Sequence, residues 1–179
     1  MAKKPVKKAK PRSTRKPAPR KKKVEAIPKR YGAVTPSLVV RGGAAALAFY
    51  ARAFGAKEVS RMPGPEGKIM HADFTIGGRM LMLNDEWPEM GARSPQTVGG
   101  TASSVLLYFK DVDAAHARAV EAGATSLQPP EDQFWGDRYA RVRDPFGHEW
   151  QLATHVEDVS VKEMMRRMAA LPPPHPPAA

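Results

Sequence analysis

The sharpest chemical pair in the chain is His71 with Asp73, in the stretch IMHADFTIGG (69–78). Residues two apart on a strand share a face, ~7 Å apart. A histidine that titrates near neutrality beside a carboxylate can serve as a general base. With Glu149 added, the same pair is part of a divalent-metal site, and it is equally the make-up of a structural ion pair. Glu149 and Gln151 bring a carboxylate and an amide to one strand face, as ligand or ion contacts or as a solvated strand mouth. FWGDRY (134–139) combines aromatic and polar groups. Trp135 offers apolar area for the wall or lid of a pocket, and Arg138 offers an anion contact. The alternative is that Asp137 and Arg138 pair to anchor the loop. His116, His148, His155 and His175 carry no assigned chemistry. No phosphate-cradling glycine loop and no nucleophile motif occurs.

These residues are positioned by a pattern that runs twice. The first run opens with a strand over 34–40, Leu38 and Val40 sharing a face. A glycine break follows, then a helix whose stripe is Leu47, Tyr50, Ala51 and Phe54, ending at Gly55. Strands are predicted over 57–62, 69–76 and 79–84, with Gly77-Gly78 closing a hairpin. Residues 85–102 lack periodicity and read as a linker. The second run has a strand over 104–109 and a helix packing Ala115, Ala119 and Ala122. Strands follow over 125–129, 138–143 and 149–154, the last two joined by the turn Asp144-Pro145-Phe146-Gly147. The interval from Ser37 to Gly55 equals that from Val105 to Gly123, 18 residues. The reading is therefore an α+β domain over 33–156 made of two βαβββ modules, 35–86 and 103–155, curled into a mixed-sheet cup with helices outside. Alternation turns Val105, Leu107, Trp150 and Leu152 toward the helices. Ser104, Leu106, Tyr108, Glu149, Gln151 and Ala153 then line the cup.

Composition narrows the function classes. Absence of cysteine removes disulfide and thiol chemistry and suits a reducing, cytoplasmic setting. No apolar run approaches the ~20 residues of a membrane helix, and no secretory h-region is expected. The charge is lopsided. Residues 1–32 hold 14 Lys or Arg and a single acid, Glu25, leaving 15 cationic against 17 acidic side chains elsewhere. The arm is too poor in large apolar residues to fold alone and is predicted disordered. Its charge suits non-specific nucleic-acid contact through residues 1–30, or a solubilising tail. Ser160-Val161-Lys162-Glu163 is a capping box predicting a short helix within 157–171, before a Pro-rich tail at 172–179.

The stretches AFYARAFGA (48–56), IMHADFTIGG (69–78) and FWGDRYARVRDPFGHEW (134–150), in this order and with the repeat spacing, resemble the vicinal-oxygen-chelate superfamily. That superfamily includes glyoxalase I, bleomycin and fosfomycin resistance proteins and extradiol dioxygenases. The PhnB-like proteins are its most similar subgroup. The resemblance spans roughly 33–156. It implies a small-molecule ligand held in a cup, and a homodimer. It also implies metal ligands on the first and last strands of each module. Those positions fall on Thr35, Ser104, Gln151 and a residue near Leu81 or Met82. Neutral oxygens and a thioether hold a divalent ion poorly, so the expectation is no metal, with a relocated divalent site as the alternative. The binding set expected is Thr35, Ser37, His71, Ser104, Trp135, Arg138, Glu149 and Gln151. The competing functions are a metal-free binder, an enzyme of isomerase, lyase or dioxygenase type using His71, Asp73 and Glu149, and a nucleic-acid-associated protein.

Overall fold

A computed structural model describes residues 24–172. Module one consists of β1 (Ser37–Val40), α1 (Gly43–Phe54), β2 (Lys57–Pro63), β3 (Ile69–Ile76) and β4 (Arg79–Asp85). A 3-10 turn (Pro88–Met90) and the single turn α2 (Pro95–Val98) occupy the connection. Module two consists of β5 (Ser104–Tyr108), α3 (Val112–Glu121), β6 (Thr125–Asp132), β7 (Asp137–Arg143) and β8 (Glu149–His155). α4 (Val161–Ala169) follows. The modules share one topology: sheet order β1-β4-β3-β2 in the first and β5-β8-β7-β6 in the second. In each, the first strand runs parallel to the last and the others pair antiparallel. The expected mixed-sheet cup of two modules is built from two four-stranded sheets. The outer edges of β1 and β5 carry no strand partner among the described residues.

Each sheet turns one face to the helices. Leu38, Val40, Ala72, Phe74, Leu81 and Leu83 in module one are buried, as are Ala140, Val142, Trp150 and Leu152 in module two. α1 joins the two halves. Its Tyr50 ring stacks on Phe74 of its own sheet at 5.6 Å between centroids, and Tyr50 and Phe54 lie 5.2 and 4.8 Å from Trp150 of the other. The stripe is wider than predicted and rotated: Phe49 and Ala53 are buried, whereas Ala51 is exposed. Asp144 completes the clasp. Tyr50 Oη and Trp150 Nε1 both donate to its Oδ2 at 2.9 Å, and the Phe146 and His148 amides donate to Oδ1.

The N-terminus of α1 lacks a side-chain cap of its own, and a strand supplies one. Asp85, at the end of β4, accepts from the Gly42 and Gly43 amides at 2.7 and 2.8 Å and from the Ile69 amide at 2.6 Å. The approach is close enough that a Cβ on Gly43 would sit 2.9 Å from Asp85 Oδ2. The link 85–102 is ordered by similar contacts rather than by periodicity. Glu86 accepts from Thr97 Oγ1, Ser94 Oγ and Arg41 Nε, and these bonds pull its carboxyl down to about 2.

Three boundaries move. β1 is four residues long, beginning after Pro36, which has no amide to donate to a ladder. β6 runs on to Asp132, with register shifts against β7. The root of the basic arm is not featureless: residues 28–31 form a turn, and Tyr31 is half-buried against β3. The rest of the expected disorder, 1–23 and 173–179, lies outside the described residues. α4 begins as predicted, with Glu163 N donating to Ser160 Oγ at 3.3 Å. No described helix is long and apolar enough to cross a membrane.

Candidate functional site

The face of module two turned away from the helices is an open pocket of about 570 Å³. β5 contributes Leu106 and Tyr108, β7 contributes Asp137, Tyr139 and Arg141, β8 contributes Gln151, and the β6–β7 loop contributes Trp135. The organising group is Asp137, 6% exposed. Its Oδ2 accepts from Tyr108 Oη at 2.8 Å and from Trp135 Nε1 at 3.2 Å, and its Oδ1 accepts from His155 Nδ1 at 2.8 Å. One carboxylate thus sets the rotamers of two aromatic walls. The bond to Asp137 raises the Tyr108 hydroxyl above its ordinary pKa, so the phenol stays a donor. Asp137 and Asp158 together raise His155. Trp135 meets Phe134 and Tyr139 edge-on at 5.0 and 5.7 Å. The loop is held from behind. The Gly136 carbonyl accepts from the Val156 and Glu157 amides, and a Cβ there would lie 2.1 Å from the Glu157 carbonyl oxygen.

At the polar end of the pocket, Gln151 Nε2 donates to Ser104 Oγ at 2.5 Å. Glu149 is gripped by Arg141 and Arg143 at 2.6 and 2.8 Å, and the arginines hold its carboxyl below the usual range.

The matching face of module one carries His71 and Asp73 together, as the spacing predicted. His71 Nε2 donates to Asp73 Oδ1 at 3.0 Å, drawn with the proton on Nε2. Asp73 is 1% exposed. Ser60 Oγ and Tyr31 Oη donate to its Oδ2 at 2.7 and 3.0 Å, and the Arg30 guanidinium lies 3.2 Å away. Burial alone would raise this carboxyl; the bonds from Ser60, His71 and Tyr31 outweigh it and hold the group below its ordinary value.

Several expected members are placed elsewhere. Arg138 points away from the pocket, toward the α3 side, bound to Asp113 at 2.6 and 2.7 Å and to Asp132. Its anion-contact role is corrected to an exposed ion-pair network, because alternation along β7 from Asp137 sends 138 to the opposite face. Arg141 stands where that role had been expected. Met70, near the start of β3, is 40% exposed, unlike the buried Ala72 and Phe74 that follow it. His71 and Glu149 do not meet: each is satisfied within its own module. Thr35 lies just before β1, its Oγ1 donating to the Tyr31 carbonyl, and Ser37 is exposed at the strand start.

Register also decides between Leu81 and Met82. Counted back from the N-cap residue of each helix, Gly42 and Asp111, Leu38 corresponds to Leu107 and Ser37 to Leu106. Ser37 pairs with Met82 and Leu106 with Gln151, so Met82 corresponds to Gln151, and Thr35 to Ser104. Leu81 is buried under α1. The set at the resemblance's ligand positions is therefore Thr35, Met82, Ser104 and Gln151. It has no imidazole and no carboxylate, and two of its members bond each other. These residues do not fit a divalent cation. Among the described residues no group of three His, Cys, Asp or Glu could hold one.

Paired βαβββ units with this register have a counterpart among known proteins. A family model of the Glyoxalase/Bleomycin resistance protein/Dioxygenase superfamily matches residues 32–152. The chain belongs to this superfamily. An uncharacterised protein of Mycobacterium tuberculosis is 47% identical over 141 residues, covering 77% of this chain and 83% of that one. Among solved structures, TioX from Micromonospora sp. ML1 is 30% identical with TM-score 0.54, covering 69% of this chain and 98% of its own. FosX from Listeria monocytogenes, solved with Mn(II) and sulfate, has TM-score 0.54 at 19% identity, covering 76% of this chain and 97% of its own. At that identity the likeness is one of fold alone, and the superfamily's fold does not by itself bring a metal centre to this chain.

Proposed function

We propose that this superfamily member is a PhnB-like binding protein that holds a small organic molecule on the module-two face without a metal ion. The observation that carries the reading is the Asp137 clamp on Tyr108 and Trp135. A nearly buried carboxylate fixes two aromatic side chains at an open pocket, with amide and guanidinium groups of Gln151 and Arg141 at the other end. This is the ordinary layout of an organic-ligand site: apolar walls and a few convergent polar groups. The donor set at the resemblance's ligand positions supports the metal-free part.

The same reading includes a homodimer. The module-two half-cup is open, the outer edge of β5 carries no strand partner among the described residues, and Leu106 and Tyr108 are 44% and 59% exposed. A bare apolar edge is a template for pairing. A second copy presenting module one against module two covers that edge and closes the pocket.

Elemental analysis of protein purified without chelators tests the metal-free claim. The expected content is far below one divalent ion per chain, with no change in melting temperature on adding EDTA. Stoichiometric metal that disappears in His71→Ala overturns the reading in favour of an enzyme with a relocated site.

The arm's charge favours a second, separable association. Fourteen cationic residues in the first 32 suit non-specific polyanion contact. Duplex binding that falls steeply with salt and disappears on deleting residues 1–30 is expected; binding that survives the deletion contradicts it.

A further inference from the structure

Asp73 stands on the open face of its sheet, yet it is 1% exposed, because donors of two kinds surround it. Ser60 Oγ and His71 Nε2 rise from neighbouring positions on β2 and β3 and are permanent features of the sheet. Tyr31 Oη and the Arg30 guanidinium arrive from outside, from the root of the basic arm. A carboxylate only accepts hydrogen bonds, and its several lone-pair sites want N–H or O–H donors. Without the arm, the sheet would present a carboxylate with half its acceptor capacity unused. Met62 lies opposite His71 and Met82 opposite Asp73 in the ladder, so adaptable thioether chains flank the spot. A floor of one carboxylate, one hydroxyl and one imidazole between methionines is the complement of a cation carried on an alkyl chain.

The arm residues have the marks of an exchangeable occupant. Arg30 is 54% exposed, and its guanidinium lies over the Tyr31 ring, 4.4 Å from the centroid. The carboxylate of this pair is buried, but the guanidinium stands largely in water, where another cation can take its place. The arm that carries them bears thirteen further cations, so its pose also responds to any polyanion that engages it.

We propose that the module-one face is a subsite for the guanidinium or primary ammonium group of a small ligand, and that Arg30 and Tyr31 occupy it in cis as a displaceable strap. The proposal deepens the cup reading given above and rests on it. The strap is a competing ligand tethered to its own site, so it reduces the apparent affinity for a free cation by the fraction of time it is docked.

The experiment is calorimetric titration of the full chain with agmatine, an alkyl guanidinium with a primary amine, and with glutarate as the probe of opposite charge. Replacing the strap, Arg30→Ala with Tyr31→Ala, should tighten agmatine binding about tenfold. Adding Asp73→Asn to that variant should abolish it, and glutarate should bind neither form. If Asp73→Asn fails to fold, Ser60→Ala in the strapless chain should weaken agmatine several-fold. Equal agmatine affinity with and without the strap overturns the proposal. So does binding that survives loss of the Asp73 carboxylate or the Ser60 hydroxyl, and so does no binding to the strapless chain. A parallel titration with 1-anilinonaphthalene-8-sulfonate, followed by the dye's own fluorescence, separates the two claims. Dye bound without agmatine refutes the cation subsite and leaves the cup; neither bound refutes both.

Discussion

Replacing Asp137 with asparagine tests whether one carboxylate organises the module-two face. The new amide keeps one acceptor oxygen and exchanges the other for an NH2 donor. If the oxygen stays toward His155, the NH2 faces the Tyr108 hydroxyl, which can turn and accept, and the Trp135 indole N–H, which cannot. One hydrogen bond is lost outright, and the other two lose their charge assistance. Bonds to charged groups contribute roughly 1.5–3 kcal/mol when buried, but Tyr108 and His155 are 59% and 52% exposed, so water replaces part of each. The sum is about 2 kcal/mol. For a domain of this size that lowers the melting temperature by roughly 6–10 °C. Calorimetry gives the stability change, near-ultraviolet circular dichroism reports the loosened indole, and the loss of phenolate absorbance in a Tyr108→Phe background isolates the Tyr108 titration from that of the other three tyrosines. The hydrogen bond to Asp137 is the chief cause of that phenol's raised pKa, so its titration must move down toward the ordinary value. A variant that melts within 1 °C of the parent with an unchanged phenol titration refutes the clamp.

Tyr50→Phe should cost about 1.5 kcal/mol in urea unfolding, near the low end for a bond to a charged group, because Trp150 and two backbone amides still satisfy Asp144. Asp85→Ala strips the partner from three backbone amides, two at the start of α1 and that of Ile69 at the start of β3, and should cost at least about 3 kcal/mol, seen as loss of helical signal on mild heating. The Asp73 carboxyl is lowered in the folded state, so its stabilisation is complete above the unfolded value of about 4. It is lost as pH falls through the folded value. Asp73→Asn should therefore flatten the acid limb of a melting-temperature profile below pH 4 and leave the neutral region's slope unchanged.

The fold was legible because it is written in local signals that agree: glycine breaks at the turns, alternation in several of the strands, and equal spacing of the two helix ends. The site was legible only where parity was unambiguous. His71 shares a face with Asp73, and Ser104 with Gln151, because short strands of fixed period leave no freedom. Arg138 is named for the pocket although it faces away, and Leu81 is not separated from Met82, because one residue of uncertainty at a strand start inverts every side chain along it. Counting from Asp137 would have selected Tyr139 and Arg141. Tyr31 was hidden by its surroundings: the Lys- and Pro-rich composition of the arm outweighs a lone aromatic in any windowed reading. The ordering of 85–102 comes from Arg41, Glu86, Ser94 and Thr97, which are brought together by tertiary structure and leave no periodic trace.

The central claim is a metal-independent organic-ligand site built on Trp135 and Asp137. Titration with 1-anilinonaphthalene-8-sulfonate in the presence of EDTA tests it most directly. The account predicts one dye bound per chain, unchanged when EDTA is omitted, with affinity at least tenfold weaker in Trp135→Ala. Binding that requires a divalent cation, or that is equally tight in Trp135→Ala, contradicts it.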